Sequence, residues 1–163
     1  MTWPADLVVV VDTREQLPFD FGPGVPTEVR GLPTGDYSVA GFEDRIALER
    51  KSLSDLLGCV GQGRDRFTRA LERLARLDYP ALVLECPLRA VAGGDPNQRS
   101  HVHPRAAIGS LIAWATRLRI PVWPARTRSE AAGLALDFLR HAAVACLEPN
   151  RRPTWRTLTT NGR

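Results

Sequence analysis

Residues 45–51 read Arg-Ile-Ala-Leu-Glu-Arg-Lys, a run that predicts a β-strand with two chemically different faces. Successive side chains of a strand point to opposite sides of the sheet. Ile46 and Leu48 therefore share one face, which we expect to pack on a hydrophobic core. Glu49 and Lys51 share the other face, which we expect to line a cleft.

Lys51 is the only lysine of the chain, and the 21 other basic side chains are arginine. Lysine is a compact point charge that can lose its proton when partly buried, whereas arginine stays charged. Upstream, the turn-like residues 33–36 end in Asp36. An acid, a gap and then Glu-x-Lys on a strand form a minimal residue set for metal-assisted phosphodiester cleavage. The alternative is a chance triplet on a solvated strand face.

The segments around this strand predict alternating strands and helices. Further strands are predicted from apolar, β-branched runs at residues 7–11, 27–30, 37–40, 79–85 and 121–125. Helices are predicted from apolar spacing and capping boxes at residues 52–60, 64–78, 105–119 and 127–147, with a long loop at 87–104.

The element order β, β, β, α, α, β, α, β, α predicts an α/β fold with a central mixed sheet flanked by helices. We expect one domain over residues 1–149 and a basic, flexible arm over residues 150–163, where all charged side chains are arginine. The last helix is apolar over more than half its circumference. It is therefore expected to be buried either within the fold or against a second subunit.

Composition excludes a membrane protein, and the charge distribution is equally consistent with a nucleic-acid partner and with solubility alone. No apolar run approaches the roughly 20 residues that span a bilayer, and the first residues do not resemble a signal peptide, so we expect a cytoplasmic protein. Three cysteines show neither an even number nor a metal-binding spacing. Residues 1–63 carry 10 acidic and 5 basic side chains, whereas residues 64–163 carry 8 acidic and 17 basic. An acidic half suits a cation and a basic half suits phosphates.

Acidic side chains fall at strand ends and helix starts in the first third of the chain. Carboxylate oxygens are the ligands that Mg²⁺ and Mn²⁺ prefer, and Lys51 near a metal-bound water could orient it, help deprotonate it or stabilise negative charge. Each acid alone also has an ordinary reading as a turn, cap or solvated residue. The group as a whole favours a metal site in which one or two carboxylates bind the ion; it consists of Asp12, Glu15, Asp36, Glu49, Lys51 and Asp55.

These residues form a pattern that resembles the nuclease motif of the XPF/Mus81 (ERCC4-type) structure-specific endonucleases. Residues 35–36 are Gly-Asp, and residues 49–55 are Glu-Arg-Lys-Ser-Leu-Ser-Asp. Upstream, residues 12–15 read Asp-Thr-Arg-Glu; downstream, residues 63–64 read Gly-Arg and residues 81–85 form an apolar strand. The similarity covers roughly residues 7–147 and implies a restriction-endonuclease-like PD-(D/E)XK core.

The resemblance also implies roles for the motif residues. Asp36 and Glu49 would be metal ligands for Mg²⁺ or Mn²⁺, with the main-chain carbonyl of Arg50 completing the shell. Asp12 would help to hold the metal or its waters, and Lys51 would serve the nucleophilic water.

Supporting residues follow from the same resemblance. Asp55 would support the site, while Arg14, Glu15 and Arg64 would order it or contact backbone phosphate. On the helix from residue 64, an arginine row could track DNA phosphates, although acids at i,i+4 spacing are expected to neutralise part of it. The row consists of Arg66, Arg69, Arg73 and Arg76.

The function implied is a metal-dependent DNA endonuclease of repair or recombination, with branched, flapped or single-strand/double-strand junction DNA as candidate substrates. The alternatives are a non-catalytic DNA-binding or scaffold subunit, and a nuclease acting on RNA. The family commonly adds a helix-hairpin-helix module after the nuclease domain, and no segment here fits one. We expect a homodimer through the nuclease domain. The apolar stripe of the helix predicted at residues 105–119 consists of Ile108, Leu111, Ile112, Ala115 and Leu118. Trp114 lies off this stripe and could stack on a base or lie in a subunit interface, of which we favour the interface.

Overall fold

The computed structural model describes residues 6–94 and 102–148. Its strands are β1 (Val9–Val11), β2 (Thr27–Val29), β3 (Tyr37–Val39), β4 (Ile46–Lys51), β5 (Tyr79–Leu84) and β6 (Val122–Pro124). Its helices are α1 (Leu53–Val60), α2 (Arg64–Leu74), α3 (Leu88–Gly93), α4 (Pro104–Leu118) and α5 (Arg128–Leu147). The predicted arm at residues 150–163 lies outside the described residues.

The strands form one mixed sheet in the order β2-β1-β3-β4-β5-β6. β1 pairs with β2 in parallel, and β4, β5 and β6 are parallel neighbours. β3 runs antiparallel to both β1 and β4. The carboxyl ends of β1, β4 and β5 and the amino end of β3 therefore lie at the same edge of the sheet.

The sheet is buried on both faces, as the predicted helices on both sides require. One face packs against α5 and includes Ile46 and Leu48, which are fully buried as the alternation predicted. The other face packs against α1, α2 and α4. It includes Ala47, which is 1% exposed, so the Glu49 side of β4 becomes polar only at its carboxyl end.

Helix starts follow the predicted capping residues. The Ser52 hydroxyl accepts a hydrogen bond from the Asp55 N–H at the start of α1, and the Thr127 hydroxyl accepts one from the Glu130 N–H at the start of α5. α5 packs on β3 to β6, so its apolar surface is used within the fold. Of the two alternatives predicted from its sequence, burial within the fold and burial against a second subunit, the structure shows the first.

Two sequence predictions about local structure are wrong, and the predicted element order counts one strand too few. All four strand segments predicted before residue 52 are present, so four strands rather than three precede α1. The expected loop at residues 87–104 contains α3. On α4 the buried stripe is rotated from the predicted one. Trp114 is only 6% exposed, whereas Ile112 is 57% exposed, because the indole packs edge-on against Phe67 and its N–H donates to Thr68.

Cys86 and Cys146 are buried free thiols, as expected, while Cys59 is half-buried. In residues 6–94 and 102–148, the helices are all too short or too polar to cross a bilayer.

Candidate active site

The candidate catalytic edge is the edge of the sheet at the carboxyl ends of β1, β4 and β5, and it gathers acidic residues that are far apart in the sequence. Asp12 follows β1, Asp36 precedes β3, Glu49 and Lys51 end β4, and Glu85 follows β5. Residues at the carboxyl ends of parallel strands meet at one edge. The antiparallel direction of β3 brings the residue before that strand to the same place.

Asp36 is held against β4 by the turn that precedes it. Gly35 has a φ of +76°, and an added Cβ would lie 3.0 Å from both the Ala47 Cβ and the Leu48 carbonyl oxygen. Only glycine fits this close approach without strain. The Asp36 N–H donates to the Leu48 carbonyl at 2.8 Å, and the Arg50 N–H donates to Asp36 Oδ2 at 2.7 Å.

Glu49 and Lys51 form an ion pair on one face of β4, and of the two only Lys51 lines the cleft described below, whereas both were expected to. Lys51 Nζ donates to Glu49 Oε1 at 2.6 Å, and their side chains are 17% and 13% exposed, Lys51 and Glu49 respectively. The ammonium also lies 5.1 Å from the centroid of the Phe67 ring, a cation–π distance. Burial lowers the pKa of Lys51, but the charge and hydrogen bond of Glu49 outweigh it and raise that pKa above its usual value. Lys51 is therefore a cation at neutral pH.

Burial, followed by the negative charge of Glu49, raises the pKa of Asp36 to about 7. The hydrogen bond from the Arg50 N–H and the charge of Lys51 oppose this rise without cancelling it. Two carboxylates share a region that one ammonium does not neutralise. At neutral pH Asp36 is therefore only partly ionised, and a cation bound beside the two carboxylates would favour its charged form.

Asp12 is occupied by protein donors. It is 1% exposed, and its carboxylate accepts hydrogen bonds from the Arg14 guanidinium at 2.5 and 3.0 Å and from the Leu32 N–H at 2.6 Å. Burial tends to raise the pKa of Asp12, but the hydrogen bonds from Arg14 and Leu32 lower it overall. In the structure Asp12 therefore anchors Arg14, whose side chain is 69% exposed, and it does not line the cleft that Asp36 lines.

A cleft of about 220 Å³ opens beside these residues. Asp55 faces it from the first turn of α1, where its carboxylate accepts a hydrogen bond from the Ser52 hydroxyl at 2.7 Å. The cleft is lined by Arg14, Glu15, Gln16, Asp36, Arg50, Lys51 and Asp55.

The other predicted arginines lie away from this cleft. Arg64 donates to the Ser110 hydroxyl at 2.6 Å and lies over the Trp114 ring, so it connects α2 to α4. Arg66 and Arg69 are exposed on the outer face of α2. The structure thus brings together the carboxylates and Lys51 but not these three arginines.

The Arg50 guanidinium takes part in a network of hydrogen bonds and ion pairs with partly buried acidic side chains. Glu15 accepts hydrogen bonds from the Arg50 guanidinium at 2.8 and 3.0 Å, and Arg50 also pairs with Glu85 at 3.0 Å. Glu85 in turn pairs with Arg128 at the start of α5. Sequence reasoning missed Glu85 and Arg128 as site residues. The position of Glu85 at the end of a strand parallel to β4 was the signal that could have identified it.

The donor set fits a hard divalent cation. The described residues contain no group of three or more His, Cys, Asp or Glu side chains arranged as a metal cage. Mg²⁺, however, commonly uses one or two carboxylates, with waters and substrate phosphates completing its shell. Asp36 and Glu49 supply that pair. The N–H of Arg50 points toward Asp36, and the C=O of a strand residue points to the same side as its N–H, so the Arg50 carbonyl is directed there too.

We expect Arg50→Met to lower the free energy of unfolding by about 3–5 kcal/mol, because it leaves Glu15 and Glu85 buried without their shared partner. Their side chains are 4% and 12% exposed. Urea denaturation would measure the change. Arg30→Met is the matched control, because the Arg30 side chain is 49% exposed and should cost less than about 1 kcal/mol. Equal losses in both variants would contradict a structural role for the buried pair.

Comparisons with known proteins agree with this arrangement. The family model described as "ERCC4 domain" matches residues 11–138. No curated protein sequence matches the chain.

Two solved structures share the fold. XPF from Aeropyrum pernix has 21% sequence identity and a TM-score of 0.63, covering 96% of this chain and 75% of that chain. XPF from Aeropyrum pernix in complex with DNA has the same identity and coverage and a TM-score of 0.61. The predicted restriction-endonuclease-like fold, with a mixed sheet between helices, is thereby confirmed. Since the family model spans most of the chain, this protein belongs to the ERCC4 domain family.

Proposed function

We propose that this protein is a structure-specific DNA endonuclease that hydrolyses phosphodiester bonds with Mg²⁺ or Mn²⁺. The observation that carries the proposal is the pair of carboxylates, Asp36 and Glu49, held beside the cationic Lys51 at the candidate catalytic edge. Membership of the ERCC4 domain family supports the same activity. A similar structure is described as a complex with DNA, which supports DNA as the partner.

In this proposal Asp36, Glu49 and the Arg50 carbonyl hold the metal ion. When bound, the ion would polarise the scissile phosphate and lower the pKa of a coordinated water. Lys51 holds its proton at neutral pH because Glu49 stabilises the charged form. It is therefore suited to orienting the attacking water and stabilising negative charge on the phosphate, and poorly suited to removing a proton.

Arg14 is assigned to the DNA phosphate next to the scissile bond. Its side chain lines the cleft and is 69% exposed, yet two hydrogen bonds from its guanidinium to the buried Asp12 fix its direction. A fixed arginine recognises phosphate at a lower entropic cost than a free one. We therefore propose that Asp12 acts through Arg14 rather than as a metal ligand. Asp55, which lines the same cleft, supports the site from α1.

We propose that the arginine row on α2 binds the DNA backbone at some distance from the scissile phosphate. The row is exposed, and within the described part of the chain its members form no ion pair, so the expected neutralisation by Asp65 and Glu72 is not observed. The row starts beside Phe67, which contacts Lys51. From residue 66 to residue 73 the helix rises about 10 Å, enough for about three phosphates of one strand, and Arg76 follows in the turn after α2 ends at Leu74.

We expect Arg69→Gln combined with Arg73→Gln to weaken DNA binding and to reduce the slope of log affinity against log salt by about 2. Fluorescence anisotropy with a labelled branched DNA in Ca²⁺ would measure it. Arg45→Gln combined with Arg117→Gln removes the same charge near the opposite edge of the sheet and serves as control. A salt slope equal to that of the wild type in the α2 variant would contradict the assignment.

Metal affinity is expected to depend on pH through Asp36. Because the pKa of this carboxyl is raised to about 7, a cation must displace a proton at lower pH, and the affinity should fall about tenfold per unit below that value. Above it the affinity should level off. Electron paramagnetic resonance of Mn²⁺ between about pH 5.5 and 8.5 would measure the profile. An affinity independent of pH over that range would contradict the assignment of Asp36 as a ligand.

A cleavage panel tests the function itself. Flapped, forked, nicked, single-stranded and duplex DNA, with matching RNA strands, would be incubated with Mg²⁺ or Mn²⁺. We expect cuts near a single-strand/double-strand junction, which Asp36→Ala should abolish. DNA binding without cutting of any substrate would favour the non-catalytic subunit instead, and cutting restricted to RNA would replace the DNA assignment.

Homodimerisation through this domain stays a prediction. Trp114 and the apolar side of α5, to which the sequence pointed, are used within the subunit. Multi-angle light scattering would give the oligomeric state.

A further inference from the structure

Five residues form a closed ring of polar contacts behind the proposed metal ligands. Arg50 pairs with Glu15 and Glu85, and Glu85 pairs with Arg128. Arg128 donates to the Leu17 carbonyl, and the Leu17 N–H donates to Glu15 Oε1 at 2.8 Å, which closes the ring. We call this set the polar ring.

Two hydrogen bonds donated by backbone N–H groups connect the polar ring to the site. The Arg50 N–H holds Asp36 Oδ2 at 2.7 Å. The Glu85 N–H donates to the Lys51 carbonyl at 2.9 Å. A shift of the ring would therefore move the main chain on either side of Lys51, together with the carboxylate of Asp36.

Arg128 differs from an ordinary surface arginine. Although its side chain is 42% exposed, its partner Glu85 is only 12% exposed. It also donates to the Pro18 carbonyl at 2.9 Å, and its guanidinium lies 5.1 Å from the Phe19 ring centroid. Three acceptors and an aromatic face fix the guanidinium from several sides, so this contact is far more constrained than a simple exposed ion pair.

We propose that Arg128 is a positioning residue that closes the polar ring and so holds Arg50 and Asp36 in the geometry that binds the metal ion. The inference rests on the proposed function. Arg128 touches neither the metal ligands nor the cleft residues Lys51 and Asp55. Its loss leaves Glu85 held by Arg50 alone and releases residues 17–18, which lead back to Glu15. Partners that orient ligands in this way typically contribute 10–100-fold to metal affinity.

The test compares Arg128→Gln with Arg128→Lys and with the control Arg126→Gln. Arg126 is two residues away, 75% exposed, and pairs with Glu130 outside the ring. Mn²⁺ titration by electron paramagnetic resonance is one readout. Hydrogen exchange of the Arg50 amide in the metal-free protein is the second. All measurements are made well below the unfolding temperature, which is determined for each variant.

We expect Arg128→Gln to weaken Mn²⁺ binding about tenfold and to speed exchange of the Arg50 amide, while cleavage recovers at saturating metal. Arg128→Lys should recover part of the affinity, and Arg126→Gln should match the wild type. Unchanged Mn²⁺ affinity and amide exchange in a folded Arg128→Gln would overturn the inference, as would an equal loss in Arg126→Gln. If the wild type neither binds Mn²⁺ nor cuts, the proposed function fails instead, and the amide exchange still reports on the ring.

Discussion

Glu49→Gln is expected to reduce the cleavage rate by about 10³-fold, the loss seen when a principal contact to the reacting group is removed. The amide has the size of the carboxylate but not its charge, so Asp36 would remain as the only charged side-chain ligand. Single-turnover cleavage of a flapped DNA at saturating enzyme would measure the rate.

A folding defect would not explain that loss. Glu49→Gln weakens the contact with Lys51 but also removes the negative charge that raises the pKa of Asp36. These effects oppose each other, so the free energy of unfolding should change by less than about 1 kcal/mol. Glu28→Gln, on the exposed strand β2, is the control and should cut at the wild-type rate. Cleavage by Glu49→Gln within tenfold of the wild type would refute the ligand assignment.

Lys51→Arg should lower the cleavage rate by about 10²-fold although it keeps the positive charge. The ammonium fits between Glu49 Oε1 and the Phe67 ring with 17% of its side chain exposed. A guanidinium is wider, planar and donates along different directions. Its donors would be displaced from the position of the attacking water, and a displacement of about 1 Å can cost 10²-fold in rate.

A measurement of metal affinity distinguishes the Lys51→Arg prediction from the Glu49→Gln prediction. Asp36 and Glu49 are intact in Lys51→Arg, so Mn²⁺ binding should stay within about threefold of the wild type while the rate at saturating metal falls. Arg117→Lys makes the reverse exchange at an exposed position of α4 and should cut at the wild-type rate. Normal cutting by Lys51→Arg would mean that the single lysine of the chain has no special role.

Local patterns in the sequence predicted the parts of the site that depend on neighbours in the chain. The alternation in β4 placed Ile46 and Leu48 in the core, and the cap at Ser52 starts α1 as expected. The turn before Asp36 and the strand carrying Glu49 are joined by one hairpin, so their approach follows from short-range pairing.

Contacts between distant segments were not predictable in the same way. Glu85 and Arg128 are 43 residues apart in sequence, and nothing periodic connects them. Trp114 was misplaced because helical periodicity identifies an apolar stripe but not which part of it meets a neighbouring helix. Phe67 of α2 packs against the Trp114 indole, and Thr68 accepts a hydrogen bond from the indole N–H. The buried face of α4 therefore includes Trp114.

The position of β4 in the sheet also bears on the order of events during synthesis. Its partner β3 precedes it in the chain, so the hairpin that brings Asp36 to Arg50 can form early from nearby residues. Its parallel partner β5 must wait for α1 and α2 to be made and to cross the sheet. Arg128, which pairs with Glu85, is synthesised later still because it lies at the start of α5. A nascent chain would thus carry its acidic residues long before it could hold them rigidly, so the proposed activity would be acquired only late in translation.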